Sequence, residues 1–125
     1  MSVSELTEEY SKDKLWNKKA ALARLAGNET LLNRIVGMFL EQINSKQDAL
    51  NDAIASKDIE AIRFTSHAMK GVSGDVGADL VREQAAFIEQ KAKQGDIDNA
   101  TEDNKKLAEL IDETTSLMRA ETNIS

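Results

Sequence analysis

Apolar residues recur along this 125-residue chain at intervals of three, four and seven positions. This is the spacing of amphipathic helices, each of which buries one face in a shared core. The longest such stretch, residues 29–56, carries its apolar stripe at Leu32, Val36, Phe39, Ile43, Leu50 and Ile54. The pattern predicts one long helix there, and a short amphipathic helix before it over residues 15–26.

Glycines and small polar residues supply the helix boundaries. The predicted boundaries are stops at Gly27 and Gly95 and N-caps at Asn28, Asp58 and Asp79. They leave a third helix ending near residue 73, a connection over residues 74–79, a fourth helix, and a fifth that starts at residue 96 or 98. Short connections between long helices make neighbouring helices antiparallel. The predicted fold is all-α, an antiparallel up-down four-helix bundle with a short additional N-terminal helix.

The domain boundaries follow from the same pattern. Residues 1–14 are polar and aperiodic, and we expect a flexible N-terminal segment, a single bundle over residues 15–121 and a frayed tail over residues 122–125. In the fourth helix Leu80, Phe87 and Ile88 are expected to point inward. Gly37 interrupts the long helix, and we interpret it as a site of close helix packing, with room for a docking partner as the alternative.

Composition removes several function classes. A net charge of −6 argues against nucleic acid as the main partner, because backbone binding needs a basic surface. With no cysteine and one histidine, thiolate and zinc sites are not expected, and we predict no metal site. The N-terminus does not resemble a secretory signal, and no apolar run is long enough to span a membrane, so we expect no direct membrane contact. We expect a cytoplasmic domain, which a membrane-tethered parent protein could also carry.

The single histidine, His67, lies on the outer face of the third predicted helix. At about 100° per residue it falls about 160° from Met69, the centre of the inward face, so it should face solvent. Lys70 lies one turn away, where its ammonium can offset an anion on the imidazole. Glycine at position 71 costs up to about 1 kcal/mol in a helix, which favours a role in clearing space for another protein. Gly74, the exposed Phe64 and Arg63 complete the predicted docking face, with Phe64 covered by a partner or by a neighbouring helix.

Hairpin symmetry adds one more residue. If the third and fourth helices form a hairpin centred near Ala78, His67 and Glu89 lie at the same height, eleven residues on either side. A carboxylate there could accept a hydrogen bond from Nδ1 and leave Nε2 as the nucleophile, as in catalytic triads. The alternative is a solvated glutamate.

The run from His67 to Ala78, HAMKGVSGDVGA, resembles the signature of histidine-containing phosphotransfer (HPt) domains, roughly H-x-L-K-G-x-S/A-x-x-x-G-A. Further similar segments lie at residues 21–32, 39–40, 87–89 and 95–96, so the resemblance covers about residues 15–118. Met69 replaces the usual leucine, which is a volume-conserving change in a core position. Asp75 replaces a common asparagine, and both suit a turn.

The resemblance implies a phosphorelay intermediate of two-component signalling, of the kind found in hybrid sensor kinases. His67 would take a phosphoryl group from a receiver-domain aspartyl-phosphate and pass it to the aspartate of another receiver domain. Lys70 would stabilise the group, Gly71 would permit approach and Glu89 would orient the ring. No cofactor is expected, because Mg²⁺ would belong to the receiver. The resemblance also implies a monomer, and without an ATP-binding motif we expect no autokinase activity.

Two other readings stay open. One is a helical interaction module that docks receiver domains without accepting phosphate. The other is a phosphatase or other enzyme with His67 as general base, although a lone histidine on a convex face argues against it. The sequence also leaves open whether the domain is free-standing or part of a hybrid kinase.

Overall fold

The computed structural model describes residues 12–122, which form six helices and no strand. The helices are α1 (Lys12–Leu15), α2 (Lys18–Arg24), α3 (Glu29–Ala55), α4 (Ile59–Val76), α5 (Asp79–Lys93) and α6 (Ala100–Thr122). The four long helices α3–α6 pack as a bundle in which α3 contacts α4 and α6, and α5 contacts α4 and α6. The all-α bundle prediction is therefore confirmed. The short N-terminal helix is present as two pieces, α1 and α2.

The predicted apolar stripe of α3 is the centre of the core. Its members from Leu32 to Leu50 are buried, and Ile54 is half-buried. They meet Ile62, Met69 and Val76, which lie on the inner face of α4. At about 25 cal/mol per Å² of apolar area removed from water, such residues supply most of the driving force that holds the helices together.

Two of the three predicted N-caps are present. The side chain of Asn28 accepts from the amide of Leu31 at 3.0 Å, and that of Asp58 accepts from Ala61 at 3.1 Å. The predicted cap at Asp79 is wrong: Ala78 holds the N-cap position without a side-chain bond, and Asp79 is the first residue of α5. The reason is that α4 continues beyond the predicted end near residue 73, which shortens the turn.

The turn between α4 and α5 is hydrogen-bonded to the short connection between α1 and α2. Gly77 ends α4 in the left-handed region at φ 82°, where a Cβ would lie 2.6 Å from the carbonyl oxygen of Asn17. The amide of Asn17 donates to the carbonyl of Gly77 at 2.8 Å, and the indole of Trp16 donates to the carbonyl of Val76 at 2.9 Å. Only glycine fits this close approach, which fixes the end of α4 against the connection between α1 and α2.

The beginning of the last helix also differs from the prediction. α6 begins at Ala100 rather than at residue 96 or 98. The carboxylate of Asp96 is engaged in the preceding turn, where it pairs with Lys91 at 3.1 Å and accepts from the amide of Asp98 at 3.3 Å. These local bonds hold the segment outside the helix.

Two side-chain predictions are wrong. Phe87 is 47% exposed, because the inward stripe of α5 consists of Val81, Ala85, Ile88 and Ala92. The Phe87 ring instead carries the ammonium of Lys91 at 5.5 Å. A Cβ on Gly37 would meet nothing within 4 Å, so close packing does not explain this glycine.

Most of the predicted flexible segment, residues 1–11, and the last three residues of the predicted tail lie outside the described residues. Residues 12–14 belong to α1. None of the helices within residues 12–122 is long and apolar enough to cross a membrane.

Candidate functional site

His67 lies on the outer surface of α4, as the helical wheel predicts. Its side chain is 65% exposed, whereas Met69, two residues later, is fully buried. Phe64, one turn before the histidine, is 71% exposed. A large aromatic side chain held in water beside a reactive imidazole is typical of a surface that another protein covers.

Glu89 of α5 reaches the imidazole of His67. Its Oε2 lies 2.7 Å from Nδ1, the contact that hairpin symmetry predicts. The residue is only 3% exposed, and it is the one buried carboxylate among residues 12–122. The buried acid therefore supports the exposed histidine from below.

The carboxyl of Glu89 is ionised at neutral pH. Burial acts most strongly on its pKa and raises it, but hydrogen bonds from Lys70 and His67, with the charges of Lys70 and Lys93, together outweigh burial. The pKa of Glu89 thus lies below its ordinary value. Because an ionised carboxylate can only accept hydrogen bonds, Nδ1 of His67 must carry the proton. In the neutral ring, Nε2 is then left with its lone pair free.

Lys70 is bound to the same acid. Its Nζ lies 2.7 Å from Oε1 of Glu89, and its side chain is one-third exposed. The sequence places Lys70 beside the imidazole to meet an anion. In this structure its charge is instead paired with Glu89, the carboxylate that also contacts His67.

Lys93 is a site residue that the sequence analysis missed. Its Nζ lies 3.7 Å from Oε2 of Glu89, and the two residues are one turn apart on α5. The i, i+4 order of acid then base is itself a recognisable signal. It becomes informative only once Glu89 is known to be buried at the site.

The two glycines of the predicted docking face differ in their surroundings. A Cβ on Gly71 would meet nothing within 4 Å, so the space above this residue is open. A Cβ on Gly74 would lie 3.2 Å from Cδ of Arg82, so the Arg82 side chain occupies the space beside this glycine. Arg24 also contacts Gly74, and its Nη1 donates to the carbonyl oxygen of this glycine at 3.1 Å.

A depression lined by charges of both signs surrounds these glycines. It has a volume of about 640 Å³, and its charged lining consists of Lys70, Arg24 and Arg82 with Asp75 and Asp79. Arg24 and Asp75 also line a neighbouring cavity of about 380 Å³, whose other walls are mostly apolar and include Leu25, Ile35, Met38, Phe39, Val72 and Val76. The shared residues make the two regions one continuous surface. We call it the docking surface.

Arg63, the charged member of the predicted docking face, already forms an ion pair. Its guanidinium pairs with Glu60 at 2.9 Å on the same helix. Within residues 12–122 no group of three His, Asp or Glu side chains converges as a metal site would require.

Comparison with known proteins now adds to this geometry. The family model described as "Hpt domain" matches residues 34–119, a range that contains His67, Lys70, Glu89 and Lys93. The phosphorelay protein LuxU of Vibrio cholerae serotype O1 (strain ATCC 39315 / El Tor Inaba N16961) is 29% identical over 94 residues, 74% of this chain and 81% of that relative.

Two further matches agree with this assignment. LuxU of Vibrio vulnificus (strain YJ016) is 29% identical over 80 residues, 64% of this chain and 70% of that protein. The crystal structure of histidine-containing phosphotransfer protein B (HptB) from Pseudomonas aeruginosa PAO1 superposes with a TM-score of 0.81, at 19% identity, over 87% of this chain and 95% of that one. The latter likeness shows a shared fold. The chain belongs to the Hpt domain family, the histidine-containing phosphotransfer domains that serve as intermediates in two-component phosphorelays.

Proposed function

We propose that His67 is the phosphoacceptor of this Hpt domain. It takes a phosphoryl group from the aspartyl-phosphate of one receiver domain and passes it to the aspartate of another. The observation that carries the proposal is the pairing of an exposed imidazole with a buried, ionised carboxylate at 2.7 Å from Nδ1. This pairing leaves Nε2 as the accessible nucleophile.

The lone pair of Nε2 forms a bond to phosphorus while the bond from phosphorus to the aspartyl oxygen breaks, and the aspartate leaves as a carboxylate. The proton stays on Nδ1, so positive charge develops on the ring during the attack. Glu89 stabilises this charge, in the way that the aspartate of a catalytic triad stabilises its imidazolium. In the return step a receiver carboxylate attacks phosphorus and the neutral ring leaves.

Lys70 is proposed to stabilise the phosphoryl oxygens. Its Nζ has three donors, so it can turn part of its hydrogen-bonding capacity from Glu89 to the transferred group. Phosphoryl transfer depends mainly on positioning and on charge neutralisation, which makes one such cation valuable. We propose that Mg²⁺ is supplied by the receiver, where acidic residues hold it, and that the domain needs no cofactor of its own.

The docking surface fits a receiver domain. Gly71 leaves open space, and the arginines beside Gly74 would meet the acidic residues of the receiver's phosphorylation site. Outside this surface, the exposed Phe64 on the same helix as His67 offers an apolar contact. Arg63 would contribute at the edge of this contact. We propose that one docking surface serves donor and acceptor in turn, and that the carrier is monomeric and cytoplasmic.

The test uses a receiver domain that carries labelled aspartyl-phosphate. Wild-type protein should take up label that is acid-labile and alkali-stable, as phosphohistidine is, and should lose it to a second receiver. His67→Gln should take up none while still binding the receiver. Label retained in His67→Gln would overturn the site assignment.

The same assay separates the alternatives. Binding without label in the wild type would favour an interaction module, and release of free phosphate without a labelled intermediate would favour an enzyme. With ATP and Mg²⁺ as the sole donor, we expect no label.

A further inference from the structure

The residue concerned is Lys93, on the exposed edge of α5. Its side chain is 48% exposed, and among residues 12–122 the carboxylate within 4 Å of its Nζ is that of Glu89. At 3.7 Å the pair is longer than a hydrogen bond, so the cation is near the acid without being bound to it. A shift of less than about 1 Å would complete the bond.

Phosphoryl transfer changes the charges around Glu89, and this change creates a need for a second cation. Before transfer, the ionised Glu89 and Lys70 form a neutral pair beside the imidazole, which must be uncharged to attack phosphorus. The transferred unit is PO₃⁻, which adds one negative charge to the site. During transfer the ring becomes positively charged and stays bonded to Oε2 of Glu89, while the phosphoryl oxygens carry two negative charges. Lys70 then has two anions to serve, Oε1 of the buried carboxylate and the phosphoryl oxygens, and a buried carboxylate that loses one of its hydrogen-bond donors is destabilised.

Other cations near the acid are less available. Arg63 lies close enough to feel the charge of Glu89, but its guanidinium is hydrogen-bonded to Glu60. Lys91, two residues before Lys93, pairs with Asp96 and lies over Phe87 on another side of α5. Among the residues that the structure describes, Lys93 is the lysine besides Lys70 that lies within 4 Å of the Glu89 carboxylate.

We propose that Lys93 is a positioning residue that acts through Glu89. When Lys70 turns toward the phosphoryl group on His67, Lys93 closes on Oε2 of Glu89 and keeps the carboxylate charged and bonded to Nδ1. The inference rests on the proposed function, because it requires a phosphoryl group at Nε2. It assigns no contact between Lys93 and the phosphoryl group or the receiver.

The first test compares two substitutions that remove the same charge from the same helix. Lys93→Gln should slow transfer from a saturating phosphorylated receiver by about threefold to tenfold, with the KM for the receiver unchanged within about twofold. Lys93→Arg should restore the rate, and Lys91→Gln should match the wild type. Equal rates for the two glutamine variants would overturn the proposal, as would a loss confined to KM, which indicates a receiver contact.

The second test asks whether Lys93 takes over when Lys70 is absent. The titration of Glu89 is followed by carbon-detected NMR in unphosphorylated protein. Lys93→Gln should raise the pKa of Glu89 more in a Lys70→Gln background than in the wild-type background, because there Lys93 is the remaining lysine at the carboxylate. An equal rise in both backgrounds would contradict the exchange.

The outcomes separate this inference from the proposed function. A wild type that never becomes labelled contradicts the phosphoacceptor assignment. A labelled wild type whose Lys93→Gln variant behaves like Lys91→Gln contradicts the role of Lys93 alone.

Discussion

Glu89→Gln tests the buried acid with little change in shape. The carboxamide oxygen can still accept from Nδ1 of His67, but its NH₂ group then faces Nζ of Lys70, and two donors cannot bond. The variant loses one hydrogen bond between charged groups, worth about 1.5–3 kcal/mol, and recovers part of this because a neutral amide costs less to bury. We expect the free energy of unfolding to fall by about 1–2 kcal/mol at pH 7.

The loss of stability in Glu89→Gln should depend on pH. Because the pKa of Glu89 is lowered by folding, its ionisation stabilises the folded state above the unfolded-state pKa of about 4.3. That contribution is lost as the pH falls through the lower pKa of the folded state. The difference between wild type and variant should therefore be full at pH 7 and shrink below about pH 4.

The assay is urea unfolding followed by circular dichroism from pH 3 to pH 7. Glu83→Gln removes the same charge from an exposed position of α5 and serves as the control, with a change within about 0.5 kcal/mol. A Glu89→Gln variant as stable as the wild type at every pH would refute the reasoning, because the carboxylate would then contribute no net stabilisation.

Three further substitutions test the site and its frame. Lys70→Ala should slow transfer by about tenfold to a hundredfold, measured by label uptake, with helicity unchanged; a large loss of helicity would contradict its placement outside the core. Gly71→Leu should raise the KM for the receiver while leaving the melting temperature within a few degrees, since open space lies above position 71, and an unchanged KM would remove the steric argument. Gly77→Ala should lower the free energy of unfolding by about 2 kcal/mol or more, because a Cβ there combines a positive φ with a clash at Asn17; a stability equal to the wild type in urea would contradict it.

The apolar periodicity of the sequence predicts the helices well because burial and helical spacing agree along α3 and α4. Hairpin symmetry predicts that Glu89 lies level with His67, because two antiparallel helices rise equally from a shared turn. Phe87 shows the limit of the method. It borders the inward stripe of α5, and residue type alone favours burial, whereas in the structure the smaller Ala85 and Ala92 line that stripe and Phe87 faces outward.

The predicted position of the turn after α4 was wrong for a related reason. Gly74 and Asp79 are good turn residues locally, but the true end of the helix is set at Gly77 by contact with Asn17, sixty residues earlier in the chain. Arg24 is invisible to sequence reasoning on the same ground, because its bond to Gly74 depends on how α2 lies across α4. Tertiary contacts of this kind leave no periodic signal.

The most direct test of His67 as the phosphoacceptor is to identify which ring nitrogen carries the phosphoryl group. Long-range ¹H–¹⁵N NMR of protein phosphorylated by its receiver identifies the substituted ring atom of His67. The contact of Glu89 with Nδ1 predicts phosphorylation at Nε2, with the Nδ1 proton retained and bonded to the carboxylate. Phosphorylation at Nδ1, or a His67 ring unchanged while label is incorporated elsewhere, would contradict the account.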